Sequence, residues 1–217
     1  MRLLSIATLI TIIVISCSAR SEAEVRPLPS KCTYEMQVWN VNQKKTNGIT
    51  KVTHPYSALA PDERDQITGC TVCSEDQEII SIPLLPKFSV CYQLAPRVRS
   101  LIETAVQRGA LIFAIEGYRV VKSRGVVDQS GNRTEFSNHS FGTAIDINPG
   151  QNGLYDNCIK FGPDCHLLRG GRWRIGVPGT LEKNSDVVVL FEQEGFRWGG
   201  EIEGRQKDFM HFSLTGY

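Results

Sequence analysis

Six cysteines beyond residue 30 set the strongest limit on what this chain can fold into: Cys32, Cys70, Cys73, Cys91, Cys158 and Cys165. In an oxidising compartment an even set of six pairs into three disulfides, and each one holds together segments that a core alone ties loosely. Cys158 and Cys165 flank a short loop with a Gly-Pro-Asp turn and are natural partners. The other four allow three pairings, among which sequence does not choose. Cys70 and Cys73 form a Cys-Thr-Val-Cys that, with Cys32 and Cys91, also has the composition of a structural zinc site, although no second CxxC is present. A thioredoxin-like redox role is disfavoured, because no βαβ pattern surrounds the pair.

The first residues bear on the compartment. Arg2 is followed by an apolar run from Leu3 to Ile15, broken only by Ser5, Thr8 and Thr11. A membrane span takes about 20 apolar residues, so this run is short for one and suits the apolar centre of a secretory signal. Residues 14–17, "VISC", resemble the lipobox of bacterial lipoproteins, which implies a signal peptide over 1–16 and a lipidated Cys17. Ordinary cleavage after Ala19 is the alternative. Setting Cys17 aside leaves the even set of six. Ser18 in place of an aspartate implies, by the usual lipoprotein sorting rule, release to the outer membrane. The expected location is periplasmic or outer-membrane-anchored, with secretion as the alternative. Any membrane contact would run through the Cys17 lipid. A net charge of +1 supplies no basic face for nucleic acid, so no such partner is expected. The sequence carries no signal of oligomeric state.

With 217 residues, 41% of them hydrophobic, the chain can bury a core of one domain plus an extension. Residues 17–30 read as a polar linker, and 31–95 as a turn-rich, irregular, disulfide-tied extension with strand-like pieces. From Pro96 the pattern changes. "APRVRSLIETAVQRGA" spaces Val98, Leu101, Ile102, Ala105 and Val106 as one helical face, with a proline near its start and Gly109 at its end. "LIFAIEGYRV" reads as a buried strand and "TAIDIN" as a second. A further helix is expected after Asn184 or Ser185, ending at Gly195. The final "DFMHFSL" alternates like a strand, which sends Asp208 and His211 to opposite faces unless the chain bends between them. Mixed helices and short strands without βαβ repetition give an α+β class, with the domain proper over 96–217.

Within that domain "SNHSFGTAIDIN" puts a carboxylate, Asp146, inside an apolar run and a histidine, His139, seven residues ahead of it. A catalytic zinc site takes three ligands from His, Asp, Glu or Cys and keeps a fourth position open. The chain has four histidines. His54 lies in the extension and His166 directly follows Cys165 of the expected disulfide, which leaves His139 and His211, each beside a strand that offers a carboxylate. His139, Asp146 and His211 together would leave a bound zinc ion with a net charge of about +1, still a Lewis acid. Asp208, three residues before His211, is placed to act as a general base. Gly142 lets the backbone turn sharply between two ligands, and Ser137 and Asn138 are candidates either to bond local backbone or to orient the His139 ring. No HExxH is present.

"SNHSFGTAID" matches the SxHxxGxAxD pattern of the M15 zinc peptidases, the D-alanyl-D-alanine carboxypeptidase and dipeptidase group. "WGG" at Trp198–Gly200 and "DFMHF" at Asp208–Phe212 resemble the second half of the site in the L-alanyl-D-glutamate endopeptidase subgroup, and "EGYR" at Glu116–Arg119 is similar to a strand-end GYR. The resemblance runs from about Leu111 to Leu214. It implies a Hedgehog/D-Ala-D-Ala-peptidase-like fold, a small antiparallel sheet with flanking helices. It implies zinc on His139, Asp146 and His211, with Asp208 as base and Arg119 as oxyanion helper.

The carboxypeptidase and dipeptidase branches carry ExWH where this chain has Asp208-Phe209-Met210-His211, which places it nearer the endopeptidases. The implied activity is hydrolysis of peptidoglycan stem peptides at an L-Ala-D-Glu type bond. D-Ala-D-Ala cleavage is the alternative, and a non-catalytic binding module on the same scaffold, as in Hedgehog domains, is a third reading. Arg119 read by itself is an ordinary partner for Glu116, Trp198 a core anchor or a cleft wall, and "RGGRWR" at Arg169–Arg174 a solvated loop or a meeting point for substrate carboxylates.

Overall fold

The computed structural model describes residues 26–216, so the expected signal peptide over 1–16 and the expected lipid attachment at Cys17 lie outside the described residues. The chain first forms β1 (Lys31–Asn40), β2 (Lys45–Thr46), β3 (Thr50–Pro55) and the hairpin of β4 (Gln77–Ile80) and β5 (Phe88–Cys91). Helix α1 (Ala95–Gln107) follows, then β6 (Ile115–Glu116), β7 (Val120–Val127), β8 (Arg133–Phe136), β9 (Ala144–Ile147), β10 (Leu154–Asp156) and β11 (His166–Arg169). Helix α2 (Asp186–Gln193) leads into β12 (Arg197–Trp198), β13 (Lys207–Asp208) and β14 (His211–Ser213). No helix among the described residues is long and apolar enough to cross a membrane.

The class is α+β. A four-stranded antiparallel sheet in the order β12-β14-β9-β6 lies at the centre of the site. A second sheet, β2-β1-β7-β8 with β3 also on β1, is mixed, because β1 runs parallel to β7. The segment before residue 95 is thus more regular than its turn formers suggest. Cys32 and Tyr34 alternate inward along β1, and the strand satisfies its backbone polar groups against β7 and β3.

Helix α1 buries Val98, Leu101, Ile102 and Ala105 as its spacing requires, whereas Val106 falls at the edge of the stripe and is 39% exposed. It packs on α2, which buries Val187, Val188, Leu190 and Phe191. Ser185 stands at the N-cap of α2, but its hydroxyl donates to the Glu182 carbonyl (2.8 Å) instead of accepting from the helix. Gly195, with φ of +80°, lies beyond its end.

The run Leu111–Val120 does not form one buried strand. Leu111 and Phe113 are exposed, Ile115–Glu116 enters the β9 ladder, and Val120 already belongs to β7 in the other sheet. The backbone N–H groups of Phe113 and Ala114 donate to the Asn148 side chain, which replaces a strand partner. At Gly117 the chain meets β5 so closely that an added Cβ would stand 2.1 Å from the Ser89 carbonyl oxygen. An apolar run alone does not reveal either contact.

The disulfides are Cys32–Cys73, Cys70–Cys91 and Cys158–Cys165. They use the four cysteines of the extension, which closes the structural-zinc alternative. Cys32–Cys73 spans 41 residues and so removes the most entropy from the unfolded chain.

Glu63 is a second staple of the extension. It accepts from the Tyr34 hydroxyl (2.6 Å), the Ala60 N–H (2.7 Å) and, when the ring is protonated at Nε2, His54 (2.9 Å), joining β1, β3 and the turn at residues 60–63. Burial pushes the Glu63 carboxyl up, but these donors outweigh it and hold the group below its ordinary 4.5. His54 is raised above 6.5 by the Pro55 carbonyl and by Glu63. The Glu63 contribution is therefore full above 4.5 and fades as pH falls through its folded value. That of His54 is full below 6.5 and fades as pH rises through its raised value. The melting temperature of the native chain should exceed that of Glu63→Gln by most between pH 4.5 and 6.5, and a gap that stays constant across pH would reject this pairing.

Candidate metal centre

Asp146 is the middle member of a polar row that crosses three strands. On β9 it stands opposite His211 of β14 on one side and Glu116 of β6 on the other. Residues paired across antiparallel strands share a sheet face, so the register alone sets these side chains beside one another. The alternate positions Ile145, Ile147 and Phe212 point to the other face and are sealed in the core. A carboxylate interrupts the apolar run because the strand has two faces, one for the core and one for the site.

His139 arrives from a different element. It lies in a short 3-10 turn, Asn138–Phe141, which ends at Gly142 in the left-handed region (φ +65°). The reversal brings the imidazole back over Asp146. An added Cβ at Gly142 would stand 2.1 Å from the Gln77 side-chain oxygen and 2.4 Å from the Cys91 nitrogen, so the loop rests directly on the β4–β5 hairpin. The Cys91 N–H donates to the Gly142 carbonyl at 3.0 Å.

Three heteroatoms then form a nearly equilateral triangle. His139 Nε2 lies 3.0 Å from Asp146 Oδ1 and 3.1 Å from His211 Nδ1, and His211 Nδ1 lies 3.1 Å from Asp146 Oδ1. Ligand atoms about 2.05 Å from a tetrahedral zinc ion are separated by about 3.3 Å, so the triangle is close to the right size. The donor types fit too. With the His139 Nδ1 proton given to the Gly117 carbonyl (2.9 Å), the Nε2 lone pair faces the triangle, and a carboxylate and a second imidazole nitrogen face it from the other corners. A cation is the natural occupant of such a set.

The electrostatics prepare the ligands. Burial lowers the His139 pKa to about 4, with the Arg119 charge adding to that and Asp146 opposing it, so the ring is neutral at ordinary pH and needs to lose no proton to bind a metal. Burial pushes the Asp146 carboxyl up, but His139, His211 and Arg119 outweigh this and hold it well below the usual carboxylate range.

Arg119 serves the carboxylate directly. Its Nη2 donates to Asp146 Oδ2 at 2.7 Å, the oxygen not engaged by the histidines, and its Nη1 lies 3.0 Å from His139 Nδ1. Glu116 Oε2 is 3.7 Å from Arg119 Nη1 and accepts from Arg169 Nη2 at 2.8 Å. Arg169, the first residue of the basic run, is thus tied to the site by an alternation of charges that sequence reading missed. The register of Glu116 against Asp146 was its only trace, and it becomes visible only once the strands are paired.

The chain turns between Asp208 and His211. Phe209 and Met210 form a turn between β13, which pairs with β10, and β14, which pairs with β9. The Trp-Gly-Gly segment clamps it: Gly199 donates to the His211 carbonyl (2.9 Å) and accepts from the Asp208 N–H (2.9 Å), while the buried Trp198 indole donates to the Phe209 carbonyl (2.8 Å). Trp198 is a core anchor. Ser137 and Asn138 do not reach the His139 ring. Asn138 instead bonds Ser213, Gly216 and Arg124, and the ring is oriented by Gly117.

A family model described as D-alanyl-D-alanine carboxypeptidase matches residues 130–214, a span that holds His139, Asp146, Asp208 and His211. The match supports the M15 peptidase family for this segment. M15 peptidases are zinc-dependent, which agrees with the donor set. Arg119 lies outside the M15 match, as do all residues of the extension. No curated protein and no solved structure matches the chain.

Two outcomes are expected of the M15 segment. Zinc at one hundred times its dissociation constant should stabilise the chelator-treated protein by about 2.7 kcal/mol, and Asp146→Asn should abolish the rise in melting temperature. A native chain whose melting is indifferent to zinc would exclude the site. Gly142→Ala should lower the unfolding free energy by about 2–3 kcal/mol in a denaturant titration, since the methyl group has no space and the backbone sits at positive φ; an unchanged midpoint would show that the loop does not press on the hairpin.

Proposed function

We propose that the protein is an exported zinc metallopeptidase that hydrolyses peptide bonds in peptidoglycan stem peptides, of the L-Ala-D-Glu endopeptidase type. The observation that carries this is the triangle of His139, Asp146 and His211 inside the segment matched by the family. The proposal includes a Hedgehog/D-Ala-D-Ala-peptidase type of fold with its peptidase unit over 96–217, and delivery by a signal peptide over 1–16 with lipid attachment at Cys17.

His139, Asp146 and His211 would hold the metal. Zinc in such a site supplies Lewis acidity, which polarises a carbonyl and acidifies water. Gly117 and Arg119 keep the ligands aimed, the first through the His139 ring and the second through Asp146 Oδ2. Asp208 takes the proton of the attacking water and returns it to the leaving amine. Arg119, about a third of whose side chain is exposed (29%), brings positive charge to the carbonyl oxygen as negative charge develops there.

A second reading, D-Ala-D-Ala carboxypeptidase, is favoured by the description of the matching family. Asp208-Phe209-Met210-His211 in place of ExWH favours the endopeptidase. Purified peptidoglycan digested with the zinc-loaded protein should gain D-Glu amino termini and lose them when a chelator is added. Free D-alanine instead would establish the carboxypeptidase, and no new termini under either condition would leave a binding module. Asp208→Ala should keep its zinc and lose roughly 100-fold or more in kcat. Undiminished turnover would remove Asp208 from the mechanism.

A further inference from the structure

Beside the metal centre a cleft of about 370 Å³ opens between the extension and the chain around Tyr118–Val121, lined by Glu35, Gln37, Ile49, Ser74, Tyr118 and Arg119. Arg119 belongs to both places, since it lines the cleft and holds Asp146. Glu35, Gln37, Ile49 and Ser74 come from the extension, which the family match does not cover.

The two walls are fixed to each other by the backbone. Parallel pairing of Met36 with Val120 and of Gln37 with Val121 puts Glu35 and Gln37 on the sheet face shared with Val121. Tyr118 donates its hydroxyl to the Val72 carbonyl (2.7 Å) and lies 3.3 Å from the Ser74 hydroxyl, next to the Cys32–Cys73 disulfide. The cleft is therefore built, not a gap between loosely docked parts.

Its charges select an occupant. Arg119 is already bound to Asp146 at 2.7 Å. Glu35 meets Lys51 at 3.3 Å, but their side chains are 57% and 81% exposed, and an exposed pair of this kind is readily exchanged. The Glu35 carboxylate is thus open to a cation from solution, with Gln37 and the two hydroxyls as further polar partners and Ile49 as apolar cover.

We propose that this cleft is a substrate subsite in which Glu35, supported by Gln37, Ser74 and Tyr118, receives a primary ammonium group on the peptide whose scissile bond lies at the metal centre. This rests on the peptidase reading above. It assigns the extension a role in choosing substrate.

The test uses zinc-loaded protein and two versions of one stem peptide, with its side-chain amine free or acetylated. Calorimetry and hydrolysis are measured side by side, for the native chain and for Glu35→Lys. The native chain should prefer the free amine roughly tenfold, the size of about one charge-assisted hydrogen bond, and Glu35→Lys should bring the ratio close to one in both measurements. Equal affinity for both peptides in the native chain, a preference that survives Glu35→Lys, or no binding of either peptide would overturn the subsite. Absence of hydrolysis with the calorimetric preference intact would sink the peptidase reading and leave the subsite standing.

Discussion

The site depends on one strand register. β14 meets β9 so that His211 faces Asp146, and the same alignment sends Phe212 and Ile145 into the core. Because side chains alternate with a period of two, a slip by a single residue would turn His211 inward and Phe212 outward at once. Burial of the aromatic and aliphatic side chains therefore guards the geometry of the His139, Asp146 and His211 triangle. The Trp-Gly-Gly clamp adds a second lock, bonding both Asp208 and His211 through one glycine.

Polar order around the row follows from that register. Arg169, Glu116, Arg119 and Asp146 alternate in sign, so each buried or half-buried charge is neutralised by its neighbours. An unpaired Asp146, 2% exposed, would be costly, and leaving such a charge without its partner typically costs 3–5 kcal/mol. Arg119 thereby does work in the resting protein by keeping the carboxylate ionised and aimed.

Much of the site was legible before the strands were paired. His139, Asp146 and His211 were picked out by residue type, spacing and resemblance, and the structure brings their donor atoms within 3.1 Å. Helix α1, strand β9 and the Cys158–Cys165 disulfide were readable because each is set by local pattern. What stayed hidden was non-local. Leu111–Val120 looks like one strand until Asn148 and Ser89 are seen to take up its backbone. The pairing of the four remaining cysteines and the seating of β1 against β7 also depend on contacts across distant parts of the chain. The tie from Arg169 to Glu116 spans 53 residues and leaves no periodic mark.

The bond from the Cys91 N–H to the Gly142 carbonyl joins two chemistries that seem separate. Cys91 is held by Cys70, and the loop that Gly142 closes carries His139. The disulfide and the candidate site are thus mechanically in series: Cys70 anchors the strand on which the loop that presents His139 rests.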